Sequence, residues 1–284
     1  MEEIILHSID DTYKIVESTE MIREAFNYVA TKRQLDLIYA IISLIKKEDT
    51  AFTEYKISFS DIARIYNPKN PNTKEIKKCV NEATNKIMDS HFQITDSSGI
   101  INKYHWIEKC RIDNENKVIY FKLSEDVRNF YLGLKENSYT IYLLKDLLAL
   151  STLFQANLFR WLTCHSGFNN SIQIKIEDAM LHFYGSVING NEFVRKLDSA
   201  LKVIKDKTCV SATYEKIKGA HGKIVELKFN ITNNYHFMYD IPQKQKTQNE
   251  MIASSKRKKE MWKENIDMKR KIAELENQLK NLDK

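Results

Sequence analysis

The sequence predicts a helix-rich α+β fold of two winged-helix units, each built on a helix-turn-helix, followed by a C-terminal helical tail. Three observations predict it. The order helix, strand, short helix, long helix, strand hairpin occurs in each half of the chain; the two occurrences keep one offset without a gap; and the chain beyond residue 242 leaves that order for a heptad pattern.

In the first half, Leu35, Ile38, Ile42 and Ile45 recur at helical spacing between Thr31 and Lys47, and Tyr55-Lys56-Ile57-Ser58 alternates as a short strand does. Ser60-Asp61 offers an N-cap for a short helix over Ile62 to Tyr66, which ends at Asn67-Pro68. After a Pro- and Asn-rich turn, a stronger helical pattern starts near Thr73 with Ile76, Val80, Ala83 and Ile87 on one face. His91 to Ile94, Ile101 to Ile112 and Lys117 to Leu123 read as strands, with turns at Asp96-Ser97-Ser98-Gly99 and Asp113-Asn114-Glu115-Asn116. The amphipathic segment Glu125 to Leu134 closes this half.

The second half repeats the order. A helix spans Thr152 to Ser166, a strand Ile172 to Ile176, and Glu177-Asp178 opens a short helix before a long one from about Asn191 to Lys207. The apolar face of that last helix, Phe193, Leu197, Ala200 and Ile204, lies 117 positions after Ile76, Val80, Ala83 and Ile87 (193 − 76, and likewise for the others). The same offset carries Ile57 onto Ile174, Asp61 onto Asp178, Ile42 onto Phe159 and Ile45 onto Leu162. Any two amphipathic helices share a period, but chance rarely preserves the loops between four successive elements. Val210 to Tyr214 and Lys223 to Ile231, joined by Lys218-Gly219-Ala220-His221-Gly222, form a hairpin in the position of a wing. The expected domains are residues 1–134, 139–241 and, as basic linker and short coiled coil, 242–284.

In a helix-turn-helix the last helix buries one face and offers the other to the DNA major groove. At about 100° per residue, the polar side of the first such helix carries Lys74, Lys78, Asn81 and Asn85, and that of the second carries Asn191, Arg195, Asp198 and Lys202. Arg and Lys donate to guanine, Asn pairs with adenine, and Lys also holds phosphate. Lys77, Ser199 and Lys205 flank these faces, and the hairpin lysines Lys216, Lys218 and Lys223 stand where a wing touches flanking phosphates. The expected partner is double-stranded DNA; the plainer alternative is that each of these residues is simply solvated. Two reading helices about 10 bp apart would cover two turns of duplex.

Charge agrees with local rather than global attraction. The net charge is +6, but residues from Pro242 onward hold 12 Lys/Arg against 7 Asp/Glu, leaving 32 against 31 in the body. A DNA-binding face in the body therefore depends on clustering. No apolar run reaches the ~20 residues of a membrane span, and the opening Met1-Glu2-Glu3-Ile4-Ile5-Leu6 is acidic where a secretory leader is basic, so a cytoplasmic location without membrane contact is expected. Cys79, Cys110, Cys164 and Cys209 stand at least thirty positions apart, which fits reduced structural thiols and neither a zinc pair nor a disulfide framework. Gly219-Ala220-His221-Gly222-Lys223 lacks the spacing of a phosphate loop, and the histidines form no HExxH or His-x-His metal motif. No cofactor and no enzyme activity are expected. A nickase or primase is the outlying alternative, and a transcriptional regulator using the same helices is the nearer one. Tyr28, Tyr39, Tyr66, Tyr120, Tyr131 and Tyr142 sit in apolar contexts and read as core with satisfied hydroxyls.

In the tail, Ser254-Ser255-Lys256-Arg257-Lys258-Lys259 leads into Met261, Met268, Leu275 and Leu282 at heptad position d, with Asn265, Ile272 and Leu279 at a. A short parallel coiled coil and a lone amphipathic helix both fit this pattern.

One segment carries a family resemblance: Tyr139-Thr140-Ile141-Tyr142-Leu143-Leu144, then Leu147-Leu148-Ala149-Leu150-Ser151-Thr152-Leu153-Phe154-Gln155-Ala156-Asn157-Leu158-Phe159-Arg160-Trp161-Leu162. It resembles the initiator replication proteins of theta-replicating plasmids, which bind repeated origin sequences called iterons. Arg33-Gln34, Tyr55-Lys56-Ile57-Ser58 before Asp61, and Lys117-Val118-Ile119-Tyr120-Phe121-Lys122-Leu123-Ser124 extend the resemblance over roughly residues 1 to 235. Asn157 stands where that family usually has Arg, and Phe154 and Phe159 where it usually has Tyr. The resemblance implies origin recognition by both winged helices, duplex opening with recruitment of the host initiator and replicative helicase, and plasmid copy control. It also implies a homodimer in equilibrium with monomer, the monomer reading iterons, the dimer repressing its own promoter, and the first domain chiefly mediating pairing.

Overall fold

Eleven strands and nine α-helices follow one another in the described part of the chain, which in this computed structural model comprises residues 9, 13–46, 48–66, 73–95, 98–134, 139–166, 170–219 and 222–235. The expected linker, basic run and heptads of 242–284 lie outside the described residues, as do the Pro- and Asn-rich turn, Asp96-Ser97 and Ala220-His221. The first half runs β1 (Lys14–Ser18), α1 (Thr19–Glu24), β2 (Ala25–Val29), α2 (Lys32–Ile42), β3 (Glu54–Ser58), α3 (Phe59–Tyr66), α4 (Thr73–Thr84), β4 (His91–Thr95), β5 (Ile101–His105), β6 (Ile107–Asp113), β7 (Val118–Leu123) and α5 (Arg128–Tyr131). The second runs β8 (Tyr139–Leu143), α6 (Leu144–Leu148), α7 (Leu153–Ser166), β9 (Ser171–Lys175), α8 (Ile176–Tyr184), α9 (Gly190–Lys207), β10 (Val210–Lys218) and β11 (Ile224–Asn233).

The helices begin and end where side chains satisfy their terminal backbone groups. Thr31 Oγ1 accepts from the Gln34 amide at 3.2 Å while Gln34 Oε1 accepts from the Thr31 amide at 2.8 Å, a reciprocal cap that starts α2. The helical period continues to Ile45, yet α2 stops at Ile42. The amides of Leu44 and Ile45 turn to the carbonyls three residues back, at 3.0 and 3.1 Å, and the Ser43 hydroxyl donates to the Ala40 carbonyl at 2.7 Å. Helix α3 starts earlier than its expected cap, because Ser58 Oγ rather than Ser60 or Asp61 accepts from the Asp61 amide, at 3.1 Å. Helix α4 ends at Thr84, where Lys86 takes a left-handed φ of 59°; Ile87, expected on the helix, reaches the core from a 3-10 turn.

The duplication is present in the topology. Strand β3 pairs with β7 and β7 with β6; strand β9 pairs with β11 and β11 with β10, all antiparallel. In each half the strand that precedes the short helix is thus tied to the second strand of the wing hairpin, with Ile57 opposite Ile119 and Ile174 opposite Leu227. The halves differ after the long helix. Helix α9 leads directly into β10, whereas α4 is followed by an extra pair, β4 and β5, that joins β2 in a sheet of its own. The run Ile101 to Ile112 is therefore two strands. Trp106 breaks it: its ring is fully buried 4.8 Å from that of Phe92, its Nε1 donates to the Tyr131 hydroxyl at 3.1 Å, and the chain changes sheet there.

Residues up to Tyr235 belong to one compact unit, joined by a strand pair that crosses between the halves. Each half opens with a strand and a short helix, β1-α1 and β8-α6, and the two strands pair antiparallel with Val16 opposite Ile141. Glu17 of β1 is fully buried there and holds Arg160 of α7 by two bonds of 2.8 Å, from Nε and Nη2. The hydroxyls of Tyr39, on α2, and Tyr142, on β8, donate to the same carboxylate at 3.0 and 2.5 Å. A charge so deep in a protein is tolerated only when paired and hydrogen-bonded on all sides, and this one is. Burial keeps both phenols well above their ordinary pKa, so they remain neutral donors.

Candidate nucleic-acid interface

Helix α4 turns Cys79, Val80 and Ala83 into the core and leaves Lys74, Lys77, Lys78 and Asn81 exposed. Asn85 is exposed one residue past the helix, held in register by its amide bond to the Asn81 carbonyl at 2.9 Å, while its own carbonyl accepts from Gln34 Nε2 at 2.8 Å. Glu82 lies on the same side of this helix. It pairs with Arg33 of α2 and lies 3.8 Å from Lys78 Nζ, so part of the positive field of α4 is answered within the protein.

Helix α9 is longer and its face less neutralised. Gly185, with φ of 85°, lets the chain leave α8 by accepting a left-handed turn, its amide donating to the carbonyls of Met180 and Leu181. Asn189 then caps α9 by accepting from the amides of Asn191 and Glu192 at 3.0 and 3.4 Å. Phe193, Val194, Leu197, Ala200, Leu201 and Ile204 face inward, while Asn191, Arg195, Ser199, Lys202 and Lys205 are exposed. Asp198 is exposed as well, but it is used internally: the Tyr214 hydroxyl of β10 donates to it at 2.7 Å. Burial and this bond raise the Tyr214 phenol, which stays a donor and ties the wing to the reading helix.

The second wing carries exposed Lys216, Lys218 and Lys223 on either side of its turn. The register slips by one residue between Ile217 and Lys218, and the Gly219 amide closes the loop on the Lys223 carbonyl at 2.8 Å. A Cβ at Gly219 would meet the exposed Val225 side chain at 2.7 Å, so any larger residue in this turn requires Val225 to move. Among the described residues, Arg195, Lys202, Lys205, Lys216, Lys218 and Lys223 take part in no ion pair.

Sequence reasoning places the strands and turn of the first wing, formed by β6 and β7 around the turn 114–117, but assigns none of its basic residues to DNA. Its signal is visible in retrospect: Lys109, Arg111 and Lys117 flank a turn that Asp113 closes by accepting from the Asn116 amide at 2.9 Å. The structure shows a different electrostatic state from the second wing. Lys109 and Arg111 both pair with Glu54, at 2.8 and 3.5 Å, Arg111 lies 4.0 Å over the Tyr120 ring, and Lys122 pairs with Glu108 at 3.0 Å. All four cysteines are free thiols, and no group of three or more metal-ligating side chains occurs among the described residues. No helix among them is long and apolar enough to cross a membrane.

Residues 14–163 match the family model described as Initiator Replication protein, WH1. The chain belongs to the initiator replication protein family. The matched span covers β1 through most of α7 and so includes the first winged helix and the junction around Glu17 and Arg160. Among solved structures, the chain is similar to the crystallised Pi initiator protein in complex with iteron DNA, with a TM-score of 0.63 at 16% identity over 80% of this chain and 100% of that one. That likeness establishes that the two-winged-helix architecture is shared. A lower similarity, TM-score 0.45 at 11% identity over 72% of this chain and 83% of the other, is found to domains 2 and 3 of RctB. No curated protein sequence matches the chain.

Proposed function

We propose that this member of the family initiates plasmid replication by binding repeated origin sequences with α4 and α9, each helix entering a major groove of one extended site. The observation that carries the reading is the pair of exposed Lys/Arg/Asn faces, each on the last helix of a helix-turn-helix in one compact unit. The families of residues divide by role. Asn81, Asn85, Asn191 and Arg195 are suited to base edges; Lys74, Lys77, Lys78, Ser199, Lys202 and Lys205 are suited to bases and phosphates; and Lys216, Lys218 and Lys223 are suited to flanking phosphates. Residues 1–134 and 139–241 act as the two reading halves, and 242–284 adds a basic, sequence-independent grip.

The protein shifts between a monomer that reads the origin repeats and a dimer that represses its own promoter, and it brings the host initiator and replicative helicase to the opened duplex without itself cutting or joining strands. Support comes from family membership and from the fold shared with an initiator solved on iteron DNA. Footprinting of the full chain on its own plasmid tests it. Protection of tandem direct repeats, each about two turns long, is the expected result. Protection of a lone palindrome would instead make the protein a transcriptional regulator.

A further inference from the structure

The extra strand pair β4-β5, which the second half lacks, brings two histidines together. His91 and His105 are directly opposite in the antiparallel register, so they share one face of the pair. Their ring centres are 5.1 Å apart with the planes at 42°. His105 is exposed and His91 half-buried, on a sheet whose edge strand is β5.

The hydrogen bonds of the two rings fix which nitrogen each has to offer. His91 Nδ1 lies 2.9 Å from the Asp89 carbonyl oxygen and His105 Nδ1 lies 3.2 Å from that of Met88. A carbonyl oxygen only accepts, so each Nδ1 carries the proton and each Nε2 carries a lone pair. A backbone carbonyl on the second ring nitrogen is the support that metal-bound histidines generally have, because it sets the tautomer and holds the ring. The spacing agrees. With Zn–N near 2.1 Å and the ring centre about 1.1 Å beyond the nitrogen, a tetrahedral angle puts two ligand rings about 5 Å apart.

We propose that His91 and His105 form an open two-imidazole site for a divalent late transition-metal ion, of the class of Zn²⁺, Ni²⁺ or Cu²⁺, bound through both Nε2 atoms with water in the remaining positions. Hard ions such as Mg²⁺ and Ca²⁺ are excluded by their demand for oxygen ligands. The site lies on the first half's own sheet and uses none of the residues assigned to DNA.

Titration of the untagged full-length chain with Ni²⁺, which favours imidazole over the free thiols, tests the proposal by calorimetry. One ion per chain is expected, and His105→Gln should weaken it at least about tenfold, since loss of a supporting hydrogen bond alone costs metal sites that much. His91→Gln should do the same. His105 is exposed, so its variant keeps the fold, checked by circular dichroism. Cu²⁺ bound to the unaltered chain should show superhyperfine coupling to two imidazole nitrogens. Absence of Ni²⁺ binding, or binding equal in both variants and the parent, overturns the proposal.

Discussion

Removing one side of the buried junction between the halves should destabilise the protein more than any single change to its DNA-facing surface. In Arg160→Met the fully buried Glu17 carboxylate keeps the Tyr39 and Tyr142 hydroxyls but loses both guanidinium bonds of 2.8 Å. Breaking a buried pair by taking away one partner costs about 3–5 kcal/mol, chiefly because the other charge is left uncompensated. In a unit of this size each kcal/mol lowers the melting temperature by roughly 2–4 °C, so a drop of about 6–20 °C is expected by calorimetry or circular dichroism. Glu17→Gln takes the carboxylate from the guanidinium and should fall in the same range. The double variant removes both charges while the Gln oxygen still accepts from the tyrosines. It should therefore be more stable than the sum of the two losses implies, by several times the ~0.5 kcal/mol within which independent sites add. A loss under about 1 kcal/mol in either single variant, or strict additivity in the double, would refute the account of the junction as one coupled polar unit.

Three further outcomes are expected. Arg195→Ala should weaken specific DNA binding by about 1–3 kcal/mol and relax preference at one base pair, whereas Lys218→Ala should weaken all sequences alike and flatten the salt dependence by about one unit; fluorescence anisotropy against salt separates the two. Tyr131→Phe removes the buried hydroxyl that accepts from the Trp106 indole N–H and donates to Met21 Sδ, and should cost about 1–3 kcal/mol in urea denaturation, with a null effect refuting a stabilising role for those bonds. His165 is held down to about 4, by burial first and the Arg23 guanidinium second, while in the unfolded chain it protonates near 6.5. It has no influence above that pH, and as pH falls from about 6.5 to about 4 the unfolded state gains the proton first, so this ring lowers stability by at most about 1.4 kcal/mol per unit, alongside His182, which burial holds down to about 3. His165→Gln should flatten that stretch of the stability curve, and an unchanged slope would show that the ring is not what titrates.

What was legible in the sequence follows from locality. The period of apolar residues and the loop lengths between them are local properties, so β3, α3 and α4 and their counterparts β9, α8 and α9 could be placed within a few residues, and the exposed faces of α4 and α9 follow directly from that placement. Helix ends were less legible because side-chain bonds decide them: Ser43 shortens α2 and Ser58 lengthens α3 against the apolar pattern. The elements β1, α1 and β2 left no readable signal. A strand reading Lys-Ile-Val-Glu-Ser carries a charge on what would be its inward side, and Arg160, 143 positions away, with the Tyr39 and Tyr142 hydroxyls makes that charge tolerable. The strands and turn of the first wing were visible, but the state of its charges was not, since Glu54, which occupies Lys109 and Arg111, comes from another strand.

That electrostatic difference between the wings bears on how a nearly neutral body can hold DNA. On α9 and the β10-β11 turn Arg195, Lys202, Lys205, Lys216, Lys218 and Lys223 have no ion pair among the described residues, while on the first wing Lys109, Arg111 and Lys122 are answered by Glu54 and Glu108 and only Lys117, in the turn, is not. Phosphate attraction of the proposed kind thus falls more on the second half, and the first half adds its share through the lysines of α4 together with the shape and hydrogen-bonding of that helix. Such a division works only if binding of one half presents the other at little entropic cost, because a second contact made by a tethered element is strengthened by its effective concentration. The β1-β8 pair and the Glu17–Arg160 bonds supply that coupling, since neither half can turn away without exposing or stranding a buried charge. Stability at the junction and affinity at the two faces are on this argument linked: a variant that loosens Glu17 from Arg160 should lose the contribution of α4 before it loses that of α9.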